Sequence, residues 1–445
     1  MLLPLSDIQN AVDRVQPYRL TGRVTGVSGL LVEGSVPSAQ LGMVCQLQLS
    51  AHRHDLVVPA EVVAINHGRV SLMPLGGVTG IQHGTPILTT AERPVLAVGD
   101  GLLGRIVDGW GNPLDGSPLY DTLDRYPLEA APMNPLLRST VEKPLSVGVS
   151  AIDSMLTCGT GQRMAILAGA GVGKSTLLGM MCRNTDADVT VIGLIGERGR
   201  EVKHFIDRDL GPEGMKKAIV VAATSDHAPA LRVRAARVAT TIAEYFRDQG
   251  KRVLLLVDSL SRVAMAQREL GLAVGEPPAT KGYPPSAFTI IPRLLERAGP
   301  GIGAGSITAF YTTLLEGDDL GDPIGDAVKA TTDGHIVLSR ALADRGHFPA
   351  IDILSSTSRV MSEVVTPQHR AAAGVIRNLL ADHRQVEELA TIGAYQRGTR
   401  ADYDRALDAW PQVSQFLRQP ISNAISLEDS VTHLSALAAE FGGAE

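Results

Sequence analysis

Apolar residues recur along this chain with three different periods, and each period predicts a different architecture. Between about 18 and 94, short β-branched runs alternate with glycine turns. They are Leu20-Thr-Gly-Arg-Val-Thr-Gly-Val, Leu30-Leu-Val-Glu-Gly, Asp55-Leu-Val-Val-Pro-Ala-Glu-Val-Val-Ala-Ile and Arg69-Val-Ser-Leu-Met-Pro-Leu. Strands this short and this closely spaced predict a small β-barrel. Ahead of them Leu5, Ile8, Val12 and Val15 share one helical face, a stripe expected to pack on the barrel, with partner docking as the alternative.

From about 95 to 366 the pattern changes. Asp188-Val-Thr-Val-Ile-Gly-Leu-Ile, Ala218-Ile-Val-Val-Ala-Ala-Thr, Arg252-Val-Leu-Leu-Leu-Val-Asp258 and Gly305-Ser-Ile-Thr-Ala-Phe-Tyr-Thr are uninterrupted apolar runs. Strands buried on both faces of a parallel sheet read this way. Leu231, Val238, Ile242 and Tyr245 mark a crossover helix between two of them, ending near Gly250. The remainder, 367 to 445, is rich in Ala, Leu, Arg and Glu and predicts a helical bundle. The expected fold class is therefore α/β, a parallel-sheet domain over 95–366 between a barrel over 1–94 and a helical domain over 367–445.

Composition narrows the class of function. A length of 445 residues exceeds what one hydrophobic core supports, so two or three domains are expected. A net charge of −6 argues against a dedicated nucleic-acid binder. The spacings of Cys45, Cys158 and Cys182 suit neither a disulfide framework nor a zinc site, which fits a reducing cytosol. The N-terminus lacks the basic region and apolar core of a signal peptide, and no apolar run approaches bilayer length.

Chemistry enters with Ala168-Gly-Ala-Gly-Val-Gly-Lys174-Ser175-Thr176, which follows the apolar run Met164-Ala-Ile-Leu and precedes Leu177, Leu178 and Met181 at helical spacing. Strand, glycine loop and helix are the context in which such a segment binds phosphate. Gly169, Gly171 and Gly173 let backbone N–H groups turn inward, and with Ala170 and Val172 they form the cradle. Lys174 is expected on the β- and γ-phosphates, and Ser175, ahead of Thr176, on Mg²⁺. Ala168 stands where the pattern has glycine. Asp258 closes its strand at the carboxyl end, where it can hold Mg²⁺ through water. Ser259 follows it, so the water-positioning base must come from elsewhere. Gly196-Glu197-Arg198 offers one just beyond another strand, with Glu197 orienting water and Arg198 binding the γ-phosphate. Nucleoside triphosphate binding with Mg²⁺ is the expectation.

Longer motifs carry a family resemblance over nearly the whole chain. Pro349-Ala-Ile-Asp-Ile-Leu-Ser-Ser-Thr-Ser358 matches the signature of rotary ATPase α/β-type subunits, and Arg359 follows it. Glu276-Pro-Pro-Ala-Thr-Lys-Gly-Tyr-Pro-Pro-Ser286, Leu294-Leu-Glu-Arg-Ala-Gly, Glu316-Gly-Asp-Asp, Asp333-Gly-His-Ile-Val-Leu-Ser-Arg and Ile392-Gly-Ala-Tyr-Gln-Arg-Gly narrow it. Together they resemble the ATPase of type III protein secretion. The short lead and Leu156-Thr-Cys-Gly-Thr-Gly-Gln lean to the injectisome branch over the flagellar one.

The resemblance implies a RecA-like ATPase domain and a cytosolic homohexamer below an export gate at the inner membrane, with two stacked hexamers left open. It implies ATP sites between subunits, Phe348 stacked on adenine where the family often has Tyr, and Arg359 as a finger into the neighbour's site. Loops 276–286 and 317–323 are similar to those facing a central stalk. A stator or regulator at the N-terminal region and chaperone–effector complexes complete the implied partners; nucleic acid is not among them, and membrane contact is only through partners. Two rivals stand beside this. A non-catalytic nucleotide-binding subunit would usually lack Glu197. An RNA-translocating hexamer needs a basic aromatic face on the barrel, where Tyr18 is the only aromatic residue between 18 and 94.

Overall fold

The computed structural model describes residues 21–49, 56–89, 94–118, 124–130, 133–319 and 321–442. The amphipathic stripe over residues 1–17 and Tyr18 lie outside these residues. The chain forms two compact units, the first built chiefly from residues up to Val95.

In the first unit, β1 (Thr21–Ser28), β2 (Leu31–Ser35), β3 (Val44–Gln48), β4 (Val57–Asn66), β5 (Arg69–Pro74) and β6 (Pro86–Thr89) close into a barrel in the order β1-β2-β5-β4-β3-β6. Alternate residues point inward, so Val24, Val32, Cys45, Leu47, Val62, Leu72 and Ile87 fill the interior. Gly34 is required by the closure, since a Cβ there would stand 2.5 Å from Ile87 Cδ1. Four strands follow the runs read above. The other two, β3 and β6, complete the ring and leave no open edge.

The second unit is organised on a nine-stranded sheet. Its strands are β7 (Ile106–Val107), β8 (Arg163–Ala168), β9 (Val189–Ile195), β10 (Ala218–Ala223), β11 (Arg252–Asp258), β12 (Ser306–Leu314), β13 (Gly334–Leu338) and β14 (Ile351–Ser358), with Gly299–Pro300 paired to β12. The first eight run in the order β14-β13-β8-β12-β11-β9-β10-β7, all parallel except the antiparallel edge strand β14, and Gly299–Pro300 pairs antiparallel to β12. Every residue of β9 and β10 is buried, as expected for strands covered on both faces.

Helices α1 (Lys174–Asn184), α2 (Gly199–His204), α3 (Pro229–Asp248) and α4 (Leu260–Ala273) follow successive strands. Then α5 (Pro367–Thr391), α6 (Ala401–Leu417) and α7 (Leu427–Phe441) form the predicted bundle. Its apolar faces do not enclose a separate core. Ala372, Ile376, Val413, Leu434 and Leu437 join one continuous cluster with Val147, Ile152, Met155 and the α1 residues Leu177 and Leu178. A buried carboxylate organises the seam. Asp153 accepts from Ser146 Oγ at 2.7 Å and from the N–H groups of Val147 and Gly148 at 3.0 Å each, although burial raises its pKa to about 7. No helix among the described residues is long and apolar enough to cross a membrane.

Candidate nucleotide site

Residues 169–173 leave the carboxyl end of β8 and turn directly into α1. Gly171 and Gly173 take φ of +78° and +89°, values that disfavour side chains, so the turn depends on glycine at those two places. Val172 is the loop's one apolar anchor and is fully buried, while Ser175 is exposed at the helix start. The first turn of α1 thus opens its unpaired N–H groups toward the space in front of the loop.

Three strand ends deliver the charged groups. Lys174 Nζ donates to Asp258 Oδ1, at the end of β11, and lies 3.8 Å from Glu197 Oε1, two residues beyond β9. Thr312 Oγ1 donates to the same Asp258 oxygen at 2.6 Å. Glu197 receives a two-pronged guanidinium from Arg262 of α4, Nε to Oε1 and Nη2 to Oε2, both 3.2 Å. That approach needs Gly196, because a Cβ there would stand 2.7 Å from Arg262 Cδ. Two carboxylates and two cations therefore neutralise one another in a nearly buried cluster. Burial pushes the Glu197 carboxyl up to about 7, and the neighbouring Glu201 and Asp258 add to the rise against Lys174 and Arg262. Glu201 moves the opposite way, down, chiefly through its hydrogen bond with Glu197.

Arg198 turns outward. Its side chain is 77% exposed and meets Glu201 at 3.4 Å. Arg262, absent from the sequence expectation, occupies the inner position instead. The only signal for it was its place four residues after Asp258, on the helix that follows the strand.

On the opposite side of the loop, Phe348 is 45% exposed, and a Cβ on residue 173 would stand 3.4 Å from its Cδ1 and Cε1. The C-terminal segment holds this ring's backbone in place. Gln419 N donates to Phe348 O at 3.0 Å, and Gln419 also bridges to Ser150 N and Gly148 O at 2.8 Å each. Arg418 Nε donates to His347 Nδ1 at 3.3 Å, an arrangement that needs a neutral imidazole. Burial and Arg418 bring the His347 pKa down to about 4, in agreement.

Arg359 stands at the far end of the sheet. Its N–H reaches Asp333 O at 2.9 Å and its Nη1 the Thr332 carbonyl at 3.3 Å. Ser358 pairs with Gly334, and His335 pairs with Ala165, so Arg359 is level with the start of β8. At about 3.3 Å per residue this leaves about 20 Å to the phosphate loop of the same chain. Within the loops read as pore-facing, Lys281 Nζ lies 3.4 Å from Asp319 Oδ2, and Asp322 caps the helix Pro323–Thr331.

An open depression of about 310 Å³ lined by Ser175, Arg200, Glu201, His204 and Asp209 adjoins the loop. Among the described residues no group of three or more His, Cys, Asp or Glu side chains could hold a metal alone. The donor set at the loop is the Ser175 hydroxyl and the Asp258 carboxylate. Hard oxygens few in number fit Mg²⁺, which draws its other ligands from water and phosphate.

Three family models match in collinear order. The ATP synthase alpha/beta family β-barrel domain covers residues 24–91, the nucleotide-binding domain of that family 148–358, and the T3SS EscN ATPase C-terminal domain 365–436. A Flagellum-specific ATP synthase of Salmonella typhimurium is 48% identical over 444 residues, covering 98% of this chain and 97% of the relative. The chain belongs to the type III secretion ATPase family. Its relatives fall in both branches: the SPI-2 type 3 secretion system ATPase of the same organism is also 48% identical, over 402 residues, 90% of this chain and 91% of that one. The assembled EscN ATPase of the enteropathogenic E. coli type III secretion system superposes with a TM-score of 0.87 at 44% identity, covering 94% of this chain and 99% of EscN. A second EscN structure, in complex with its central stalk EscO, gives a TM-score of 0.85 at 44% identity, again covering 94% and 99%.

Proposed function

We propose that this chain is the ATP-hydrolysing motor of a bacterial type III protein export apparatus, energising chaperone release, unfolding and export. The observation that carries the reading is the convergence of Lys174, Asp258 and Glu197 at a glycine-framed helix start. Triphosphate offers Lys174 a stronger partner than Asp258, and its entry draws the ammonium onto the β- and γ-phosphates. The backbone N–H groups of residues 169–176 hold the same oxygens, and Phe348 packs on adenine. Ser175 and Asp258 would hold Mg²⁺, which when bound neutralises charge growing on the phosphate oxygens. Glu197, once deprotonated, orients the attacking water and takes its proton. Arg198 reaches the γ-phosphate after release from Glu201.

Arg359 completes a neighbour's site, a role supported by its distance from the loop of its own chain. The assembly is a homohexamer, with stacking of two hexamers as an extension. The stalk faces loops 276–286 and 317–323, and a stator or regulator docks at the N-terminal region. We read the domains as 1–94, 95–366 and 367–445, and the location as cytoplasmic, held at the inner-membrane export gate by partners. The injectisome branch is favoured by the EscN likeness, and the flagellar branch is the second reading, carried by flagellar relatives at 48% and 49% identity.

The test is subunit mixing. Arg359→Ala should bind ATP and lose about 10³–10⁵ of turnover, and Lys174→Ala should lose nucleotide binding. Mixed assemblies confirmed by mass should regain activity, because some interfaces pair an intact loop with an intact finger. Mixtures as inactive as either parent would overturn the shared site. Identifying the proteins that co-purify with the chain separates the two branches.

A further inference from the structure

The phosphate loop has a second contact that the chemistry above does not use. Arg340, just beyond β13, donates from Nη2 to the carbonyl of Ala170 at 2.9 Å. The same guanidinium grips Asp318, Nε to Oδ2 at 2.7 Å and Nη2 to Oδ1 at 3.4 Å. Asp318 in turn lies against the loop backbone: a Cβ on residue 169 would stand 1.8 Å from its Oδ1. The carboxylate therefore occupies the space that glycine leaves open at Gly169, beside a loop built to receive an anion. The neighbouring residue, Asp319, meets Lys281 at 3.4 Å, so one short turn touches both the phosphate loop and the segment 276–286.

We propose that Arg340 and Asp318 are positioning residues for nucleotide binding, forming a latch that fixes the Ala170 peptide and masks a carboxylate set against the phosphate loop. This deepens the nucleotide-site reading and rests on it. With Arg340 present, the negative charge at Asp318 is paired and the Ala170 carbonyl is held by the guanidinium. Without Arg340, Asp318 becomes an unpaired negative charge beside the incoming triphosphate, and the peptide loses its anchor. The pair is about half exposed, with side chains 46% and 40% accessible, so as a surface ion pair it adds little to stability. Its effect falls on the loop it touches.

The experiment is a double-mutant cycle read by equilibrium titration with a methylanthraniloyl ATP analogue and Mg²⁺ on the full chain. Arg340→Ala should raise the dissociation constant about fivefold while leaving kcat within twofold at saturating ATP. Asp318→Asn alone should bind within twofold of wild type. Placed in the Arg340→Ala background, Asp318→Asn should recover part of the lost affinity, because it removes the unpaired charge but not the lost bond to the Ala170 carbonyl. A merely structural loss would add to the first defect and would not cancel it. Melting curves of all variants, with Arg340→Lys as the charge-conserving partner, exclude misfolding as the cause. Binding by Arg340→Ala that equals wild type, or a double variant no better than Arg340→Ala, would overturn the latch. Lys174→Ala serves as the control: if it too binds like wild type, the nucleotide site itself is misassigned, whereas its loss beside an unaffected Arg340→Ala sinks the latch alone.

Discussion

Glu197 is the group on which the pH dependence of hydrolysis should turn. Burial raises its pKa from an ordinary 4.5 to about 7, with Glu201 and Asp258 pushing the same way. A base works only when deprotonated, so the effect has a definite sign: activity is low below pH 7 and rises above it. With a pKa near 7, roughly a tenth of the enzyme carries ionised Glu197 at pH 6 and about nine-tenths at pH 8, so kcat/KM should climb about tenfold between them. The free-enzyme parameter is the right readout, because the shift belongs to the nucleotide-free cluster. Arg262 provides the internal check. Its fork, 3.2 Å from both Glu197 oxygens, lowers the pKa against the other influences. Arg262→Gln should therefore move the acid limb upward by about one unit, the lower end of what an adjacent opposite charge contributes. Glu197→Gln should lose on the order of 10²–10⁴ in rate and show no such limb in what remains. Stopped-time phosphate release from pH 5.5 to 9 at saturating Mg²⁺ measures all three. The assignment fails if the Glu197→Gln profile keeps the wild-type limb, or if Arg262→Gln shifts it downward.

Two further outcomes follow from particular contacts. Gly196→Ala should destabilise the fold by ~1–3 kcal/mol in denaturant titrations, since its φ of +73° and the 2.7 Å approach of Arg262 Cδ leave no room for a methyl group; it should also displace Arg262 from Glu197 and shift the acid limb as Arg262→Gln does. Deleting residues 1–17 should leave nucleotide binding intact and reduce assembly or partner docking, as read by light scattering; insoluble protein would instead mark the stripe Leu5, Ile8, Val12 and Val15 as core.

The phosphate loop was legible in the sequence because its function is local. Nine consecutive residues contain the turn, the ammonium and the hydroxyl, and the flanking apolar runs identify the strand and the helix that hold them. Asp258 and Glu197 could be read for a related reason: each sits at or just past the end of an uninterrupted apolar run, and parallel strands bring such ends to one edge. Four barrel strands followed legible runs, whereas Val44-Cys-Gln-Leu-Gln48 carries a single β-branched residue and Pro86–Thr89 is only four residues long, so neither stands out from loop until the ring needs it.

The tertiary structure alone decided which side chains meet. Arg262 is 65 positions from Glu197, and Arg340 is 170 from Ala170. Phe348 comes against Gly173 only because β13 lies directly beside β8. Strand order places these partners, and the period of an apolar run carries no information about strand order. The same holds for the C-terminal helices: their composition announced a bundle, but its apolar faces close over Ile152, Leu177 and Leu178 to make one core. Local spacing determines how a segment folds and which groups it can offer; contacts across the sheet determine which charge each group faces, and hence which way the Glu197 pKa moves and whether Arg198 or Arg262 stands beside it.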